Sequence, residues 1–329
     1  MTELGSNNML AALQQLFPYE GWLAKLDAMA LHGGARTRGM LAGKRSSSSL
    51  GSSLEFADYR PYIAGDDIRR IDWNLYGRTN KAYIRQYWDE QERSFHLYVD
   101  SSRSMTAIGE GEHNKWLTAL RMAASVGYVA LQGDDRVSIS LFNEKEVHRQ
   151  LPMLHGKHAK FTMISRLSES ITEASIPSEA IDEAFVEDAG SAISDAAAPF
   201  AGGSKLPRRA GVTWIFSDGL YEQGLDSLLS SLQARQQQVV FVHILHGDEL
   251  APQLEGEWRF IDIETSRAKE VAMSPAVIEK YKRGVSEFRE RLRKLCESRG
   301  IGFFSINCSE ALPDSFMKLL SSGSYIQYR

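Results

Sequence analysis

Two short stretches of this chain place oxygen-bearing side chains directly after apolar runs. Asp100-Ser101-Ser102-Arg103-Ser104 follows Phe95-His96-Leu97-Tyr98-Val99, and Ser217-Asp218-Gly219 follows Val212-Thr213-Trp214-Ile215-Phe216. Asp, Ser and Ser at alternate positions put one carboxylate and two hydroxyls on one side of a turn. These are hard donors, suited to Mg²⁺ or Mn²⁺ rather than zinc. If the two apolar runs are neighbouring strands of a parallel sheet, Asp218 comes beside Asp100 at the carboxyl ends, where open α/β sheets bind ligands. A blander alternative has Ser102 or Ser104 capping a helix by accepting a backbone N–H. The pairing of two such loops, each leaving a strand, favours the metal.

The elements that must position these loops follow a strand–helix grammar. After the strand at 95–99, Lys115 to Gln132 reads as a helix with Trp116, Ala119, Leu120, Ala123, Val126 and Val129 inward. Val137–Phe142 is the next strand, residues 157 to 175 suit a helix, and an acidic, Ala-rich segment follows. Val212–Phe216, a helix over Leu225–Arg235 and a strand over Val239–Leu245 continue the alternation. Such alternation predicts an α/β fold, a mostly parallel sheet with helices on both faces. Trp258–Ile263 and Lys269–Ala272 are expected to form a hairpin. Ser274-Pro275 then starts a long helix with Ile278, Val285, Phe288, Leu292 and Leu295 on one stripe facing the sheet, and Gly302–Ile306 gives a last strand. Upstream, residues 9 to 31 read as two short helices split near Pro18 and Gly21, and Gly33–Ser53 as a Gly/Ser/basic linker. No internal repeat is visible.

Composition sets bounds. The chain has 329 residues, 43% hydrophobic, with 38 Lys and Arg against 42 Asp and Glu, a net charge of −4. That balance points to no nucleic-acid partner. Cys296 and Cys308 offer neither a disulfide framework nor a metal-ligand spacing, as expected of a reducing compartment. No basic region feeds an apolar stretch at the N-terminus, and the longest apolar strand is too short to span a bilayer. These features predict a cytoplasmic protein with no membrane association.

The first loop resembles the metal-ion-dependent adhesion site of the von Willebrand factor A fold, a Rossmann-like architecture. That site uses Asp-x-Ser-x-Ser with a Thr and an Asp from two further loops. Asp100, Ser102 and Ser104 match the first loop and Asp218 the last. Ser191, in Gly190-Ser191-Ala192-Ile193-Ser194-Asp195, stands where the Thr is expected, with Ser194 as the alternative. A second resemblance lies upstream, in Leu54–Tyr62, in Gly65-Asp66-Asp67-Ile68-Arg69-Arg70-Ile71-Asp72-Trp73 and in Arg78-Thr79. It is similar to the bacterial family catalogued as domain of unknown function fifty-eight, which places this segment before a von Willebrand A-like domain. The implied organisation is 1–53 for the N-terminal helices and linker, 54–91 for the signature segment, and 92–329 for the α/β domain. The aromatics of the signature segment are expected to be buried against the sheet edge with its charge pairs on the rim, as a structural clamp. A sharper reading makes Arg60, Arg69 and Arg78 a protein-docking surface.

The resemblance implies a non-enzymatic, metal-dependent protein-binding adaptor, with Mg²⁺ or Mn²⁺ at Asp100, Ser102, Ser104, Ser191 and Asp218. It further implies action with a MoxR-type AAA+ ATPase in complex maturation or stress response. Two rivals stand beside it: a phosphohydrolase using Asp100, and a scaffold whose metal site is vestigial. Phosphatases that place an Asp after the first strand want a second Asp two residues on, where this chain has Ser102. Gly39–Arg45 is spaced wrongly for a phosphate loop and follows no strand. The eight histidines do not cluster, and His96 and His243 read as core or rim residues.

Overall fold

The computed structural model describes residues 3–31, 56–87, 92–109, 111–174, 194–254, 256–261, 268–322 and 326–328. The Gly/Ser linker and Ser191 lie outside the described residues. The chain divides into two compact units, one formed by Met1–Ala35 with Arg93–Arg329, the other by Arg36–Glu92. The N-terminal helices thus belong to the α/β unit, and the signature segment is an insertion between its two pieces.

The larger unit begins with α1 (Glu3–Leu16), α2 (Trp22–Asp27) and β1 (Met29–Leu31). As the sequence predicts, the break falls at Pro18–Gly21, where Gly21 takes a left-handed φ of 71°. Leu16, Trp22, Leu26 and Met29 are buried in the main core, and the Trp22 ring meets Phe316 edge-on at 5.3 Å.

In the inserted unit, β2 (Phe56–Pro61) pairs antiparallel with β3 (Tyr83–Tyr87), with α3 (Trp73–Thr79) between them in sequence. Asp72 caps α3 by accepting from Asn74 N and Leu75 N, both at 3.0 Å, and takes the Tyr59 hydroxyl at 2.8 Å. Trp73 and Tyr76 depart from the burial expected of them, being 60% and 40% exposed. Three residues apart on a seven-residue helix, they meet edge-on at 6.0 Å and shield one another instead.

The remaining elements are β4 (Ser94–Asp100), α4 (Arg103–Ala107), α5 (Lys115–Gln132), β5 (Arg136–Phe142), β6 (Val147–Gln150), β7 (Leu154–His155) and α6 (Ala159–Ala174). They continue with β8 (Gly211–Ser217), α7 (Leu225–Ala234), β9 (Gln237–Leu245), α8 (Gly247–Leu250), β10 (Gly256–Ile261), β11 (Ala268–Met273), α9 (Pro275–Ser298), β12 (Gly302–Asn307), α10 (Leu312–Ser322) and β13 (Ile326–Tyr328). The sheet runs β12-β9-β8-β4-β5-β6, with β7 also on β5. The first five strands are mutually parallel, and β6 and β7 are antiparallel to β5.

Alternation along the strands explains why both faces are covered. Leu97, Val99, Ile139, Trp214, Phe216, Val240 and Val242 join one cluster, with α5 and α6. Tyr98, Ile215, Val239 and Phe241 point the other way, into a cluster with Leu228, Leu229, Leu292 and Cys296. Helix α5 is buried along almost its whole length. Among the described residues no helix is long and apolar enough to cross a membrane.

Helix α9 follows the expected stripe in its C-terminal half, where Leu292 is buried and Phe288 and Leu295 pack against the same cluster, but less fully at Ile278 and Val285. Ser274 accepts from Val277 N at 3.4 Å to cap it, but only Leu292 and Cys296 are buried, while Ile278, Val285, Phe288 and Leu295 are partly exposed. Twenty-four helical residues extend about 36 Å, whereas the six of neighbouring β12 extend about 20 Å.

Two contacts fasten the ends of this unit. β1 pairs antiparallel with β13, and Arg93 Nη2 donates to Leu31 O at 2.7 Å. Arg93 is itself held by Asp135, whose Oδ1 accepts the Arg93 backbone N–H at 3.0 Å.

Candidate functional site

β4 and β8 are adjacent and parallel, with Val99 opposite Phe216, so their carboxyl ends deliver Asp100 and Asp218 to the same edge of the sheet. Both are buried, at 0% and 1% exposure. Asp100 Oδ1 accepts from Ser102 N at 2.9 Å, and its Oδ2 takes the hydroxyls of Ser217 and Tyr221, each at 2.5 Å. Ser102 precedes α4, yet its side chain makes no cap bond. Its hydroxyl lies 3.1 Å from that of Ser104, so Ser102 does not cap α4.

Gly219 lets the second loop turn. It has a left-handed φ of 68°, where a Cβ would stand 3.1 Å from Leu292 Cδ1. Its amide donates to Ser217 Oγ at 2.9 Å, and Asp218 Oδ1 accepts from Leu220 N at 3.1 Å.

The other Asp218 oxygen meets a residue that the sequence reading passed over. Lys115, the first residue of α5 and 0% exposed, donates from Nζ to Asp218 Oδ2 and to Glu249 Oε1, both at 2.8 Å. Glu249 Oε2 in turn accepts from His246 N at 2.7 Å, closing the capping box of α8. Burial pulls the lysine pKa down, but Asp218 and Glu249 outweigh it and hold the ammonium above its ordinary range. Asp100 is pushed up to about 6, first by burial and then by the Asp218 charge, against its three hydrogen bonds. Burial and the neighbouring Asp100 carry the Tyr221 phenol well above its usual value, so it stays a donor.

Three carboxylates and one ammonium leave two negative charges in this cluster. Among the described residues no three His, Cys, Asp or Glu side chains form a metal-ligand group. The available donors are two carboxylates and the Ser102 and Ser104 hydroxyls. They fit a small hard divalent cation in donor type, and the uncompensated charge fits it in sign.

Ser194 reaches the loop after β8, but its hydroxyl accepts from Glu222 N at 3.2 Å, and no contact ties it to Asp100 or Asp218 among the bonds of the described residues. The three arginines expected to dock a partner lie in the inserted unit. Arg60 is committed to a fork on Asp66 at 2.7 and 2.6 Å, whereas Arg69 and Arg78 are exposed. The histidines behave as the sequence predicts: His96 and His243 are buried, and burial lowers each to about 4.

Lys115, Tyr221 and Glu249 were not legible as site residues. One signal existed for the lysine. A cation in the first turn opposes the helix dipole, so its place beside an apolar helix start calls for an acidic partner.

Fold and site together define an α/β protein with a buried, acidic, hydroxyl-rich edge at the carboxyl ends of its central strands. The family described as "Protein of unknown function DUF58" matches residues 58–291, and the chain belongs to it. Uncharacterised proteins of Mycobacterium bovis and Mycobacterium tuberculosis are 24% identical over 268 residues, covering 82% of this chain and 79% of theirs. Among solved structures, the chain is similar to the conserved hypothetical protein BatB from Bacteroides thetaiotaomicron. The TM-score is 0.35 at 15% identity, over 70% of this chain and 96% of that one.

Proposed function

We propose that this chain is a protein-binding module of the von Willebrand factor A type. It captures a partner's carboxylate through a divalent cation, Mg²⁺ or Mn²⁺, held at Asp100, Ser102, Ser104 and Asp218. The observation that carries this reading is the convergence of those four side chains at the ends of two adjacent parallel strands. Asp100 and Asp218 repel each other in a buried setting, which a cation relieves. When bound, the cation would supply an open coordination position for an acidic side chain. Ser102 and Ser104 would offer it hydroxyls, while Ser217 and Tyr221 fix the Asp100 carboxylate. The family resemblance supports a MoxR-type AAA+ ATPase as the partner and an adaptor's place in complex maturation or stress response.

The arrangement suits binding better than hydrolysis. A phosphatase built on Asp100 wants a second Asp two residues after the first, where this chain has Ser102. The test is capture of a purified MoxR-type ATPase from the same cell, with and without chelator. Capture should need the divalent ion and be lost in Asp100→Ala with the fold intact. Equal capture by wild type, variant and chelated protein would reject the reading. So would sustained turnover of a phosphate ester that Asp100→Asn abolishes.

A further inference from the structure

Lys115 is the least expected group in this molecule. A lysine ammonium with no exposure needs full compensation, and here it has two carboxylates at 2.8 Å from two separate elements. Asp218 comes from the loop after β8 and Glu249 from α8 after β9, while Lys115 itself starts α5. The ammonium therefore occupies one oxygen of a carboxylate that a divalent cation would also use. We propose that Lys115 is a resident cation that competes with the divalent ion for Asp218, so that cation binding at this edge is deliberately weak and depends on how firmly Glu249 holds the lysine.

This inference rests on the docking reading but concerns a different residue and a different quantity. A unit positive charge beside the site opposes a second cation by direct repulsion and by occupying Asp218 Oδ2. Glu249 acts the other way, because it draws the ammonium toward α8. Its other oxygen is fixed by His246 N, so this pull is anchored to the end of β9.

The experiment is a Mn²⁺ titration of the full chain by calorimetry, with melting temperature followed in the same samples. Lys115→Met should bind Mn²⁺ about tenfold or more tightly than wild type. Its melting temperature should also rise more with the ion. Lys115→Arg keeps the charge and should stay near wild type. Lys115→Met strands a buried and a partly buried carboxylate and can fail to fold, so the double variant Lys115→Met/Glu249→Gln carries the same test. It removes one positive and one negative charge, leaving the net charge of the cluster unchanged, and should still bind more tightly. If wild-type binding requires Asp100 but neither Lys115→Met nor the double variant binds more tightly, the proposal is overturned and the docking reading stands. Binding that appears only when Lys115 is removed supports the proposal and rejects metal-dependent docking by the wild type. No binding in any of these proteins overturns both.

Discussion

Asp100 accepts a backbone N–H and two hydroxyls, and its charge is still incompletely offset, as its upward shift to about 6 records. Removing one donor should make that imbalance worse. Tyr221→Phe deletes the 2.5 Å bond and should cost about 1–3 kcal/mol by denaturant unfolding. It should also drive the Asp100 carboxyl further upward in a carbon-detected titration. An unchanged stability would mean that water replaces the phenol without loss. At this scale the sequence was informative where chemistry and neighbours coincide. Asp100, Ser102, Ser104 and Asp218 each sit within a few residues of an apolar run that announces a strand end. Lys115, Tyr221 and Glu249 reach the same place from three separate stretches of the chain. Nothing in local spacing encodes that convergence, because it depends on strand order.

Strand order came from the structure, but the parallel sheet, the hairpin of β10 and β11 and the two N-terminal helices were legible in the alternation and periodicity of apolar residues. Helix α9 shows where periodicity stops being sufficient. Its stripe identifies a face, but not how much of that face overlaps the sheet. Leu292 is buried beside Phe241 and the Gly219 turn, whereas Ile278 is only partly buried. Leu292→Ala should therefore cost about 2–4 kcal/mol, and Ile278→Ala about 1 kcal/mol or less, in chemical denaturation. Comparable costs would show that the first turns of α9 are packed in solution. Phe288, partly buried and edge-on to His243 at 6.0 Å, should fall between them.

For the whole molecule, pH dependence is set by buried groups of opposite sign. The unfolded chain protonates its histidines near 6.5, but folded His96 and His243 resist until about 4. Their contribution is complete above 6.5 and is lost as pH falls toward 4, because the unfolded state binds the extra protons. Asp100 works in reverse: raised to about 6, it takes up a proton in the folded state first and offsets part of that loss. Asp135, also buried and raised, adds to that offset, and two histidines against these carboxyls should leave the fold less stable at pH 4.5 than at pH 7. Thermal melts across that range check it, and a flat profile would mean that the buried imidazoles gain protons without unfolding.

The hydrogen bond from Arg93 to the Leu31 carbonyl joins the residues at which the chain departs from the α/β unit and returns to it. With Asp135 steadying Arg93, the two ends of that excursion are clasped within the reach of one side chain. The entropy of closing such a detour grows only slowly with its length, so a clasp at its base serves a long excursion nearly as well as a short one. The signature segment is thus removable in principle. Replacing residues 36–92 by a short Gly/Ser bridge should leave cooperative unfolding of the remainder, with Trp22 still reporting a buried environment by fluorescence. Loss of cooperativity would show that the segment braces the unit. If the remainder folds, this excursion can be altered or exchanged without rebuilding the sheet.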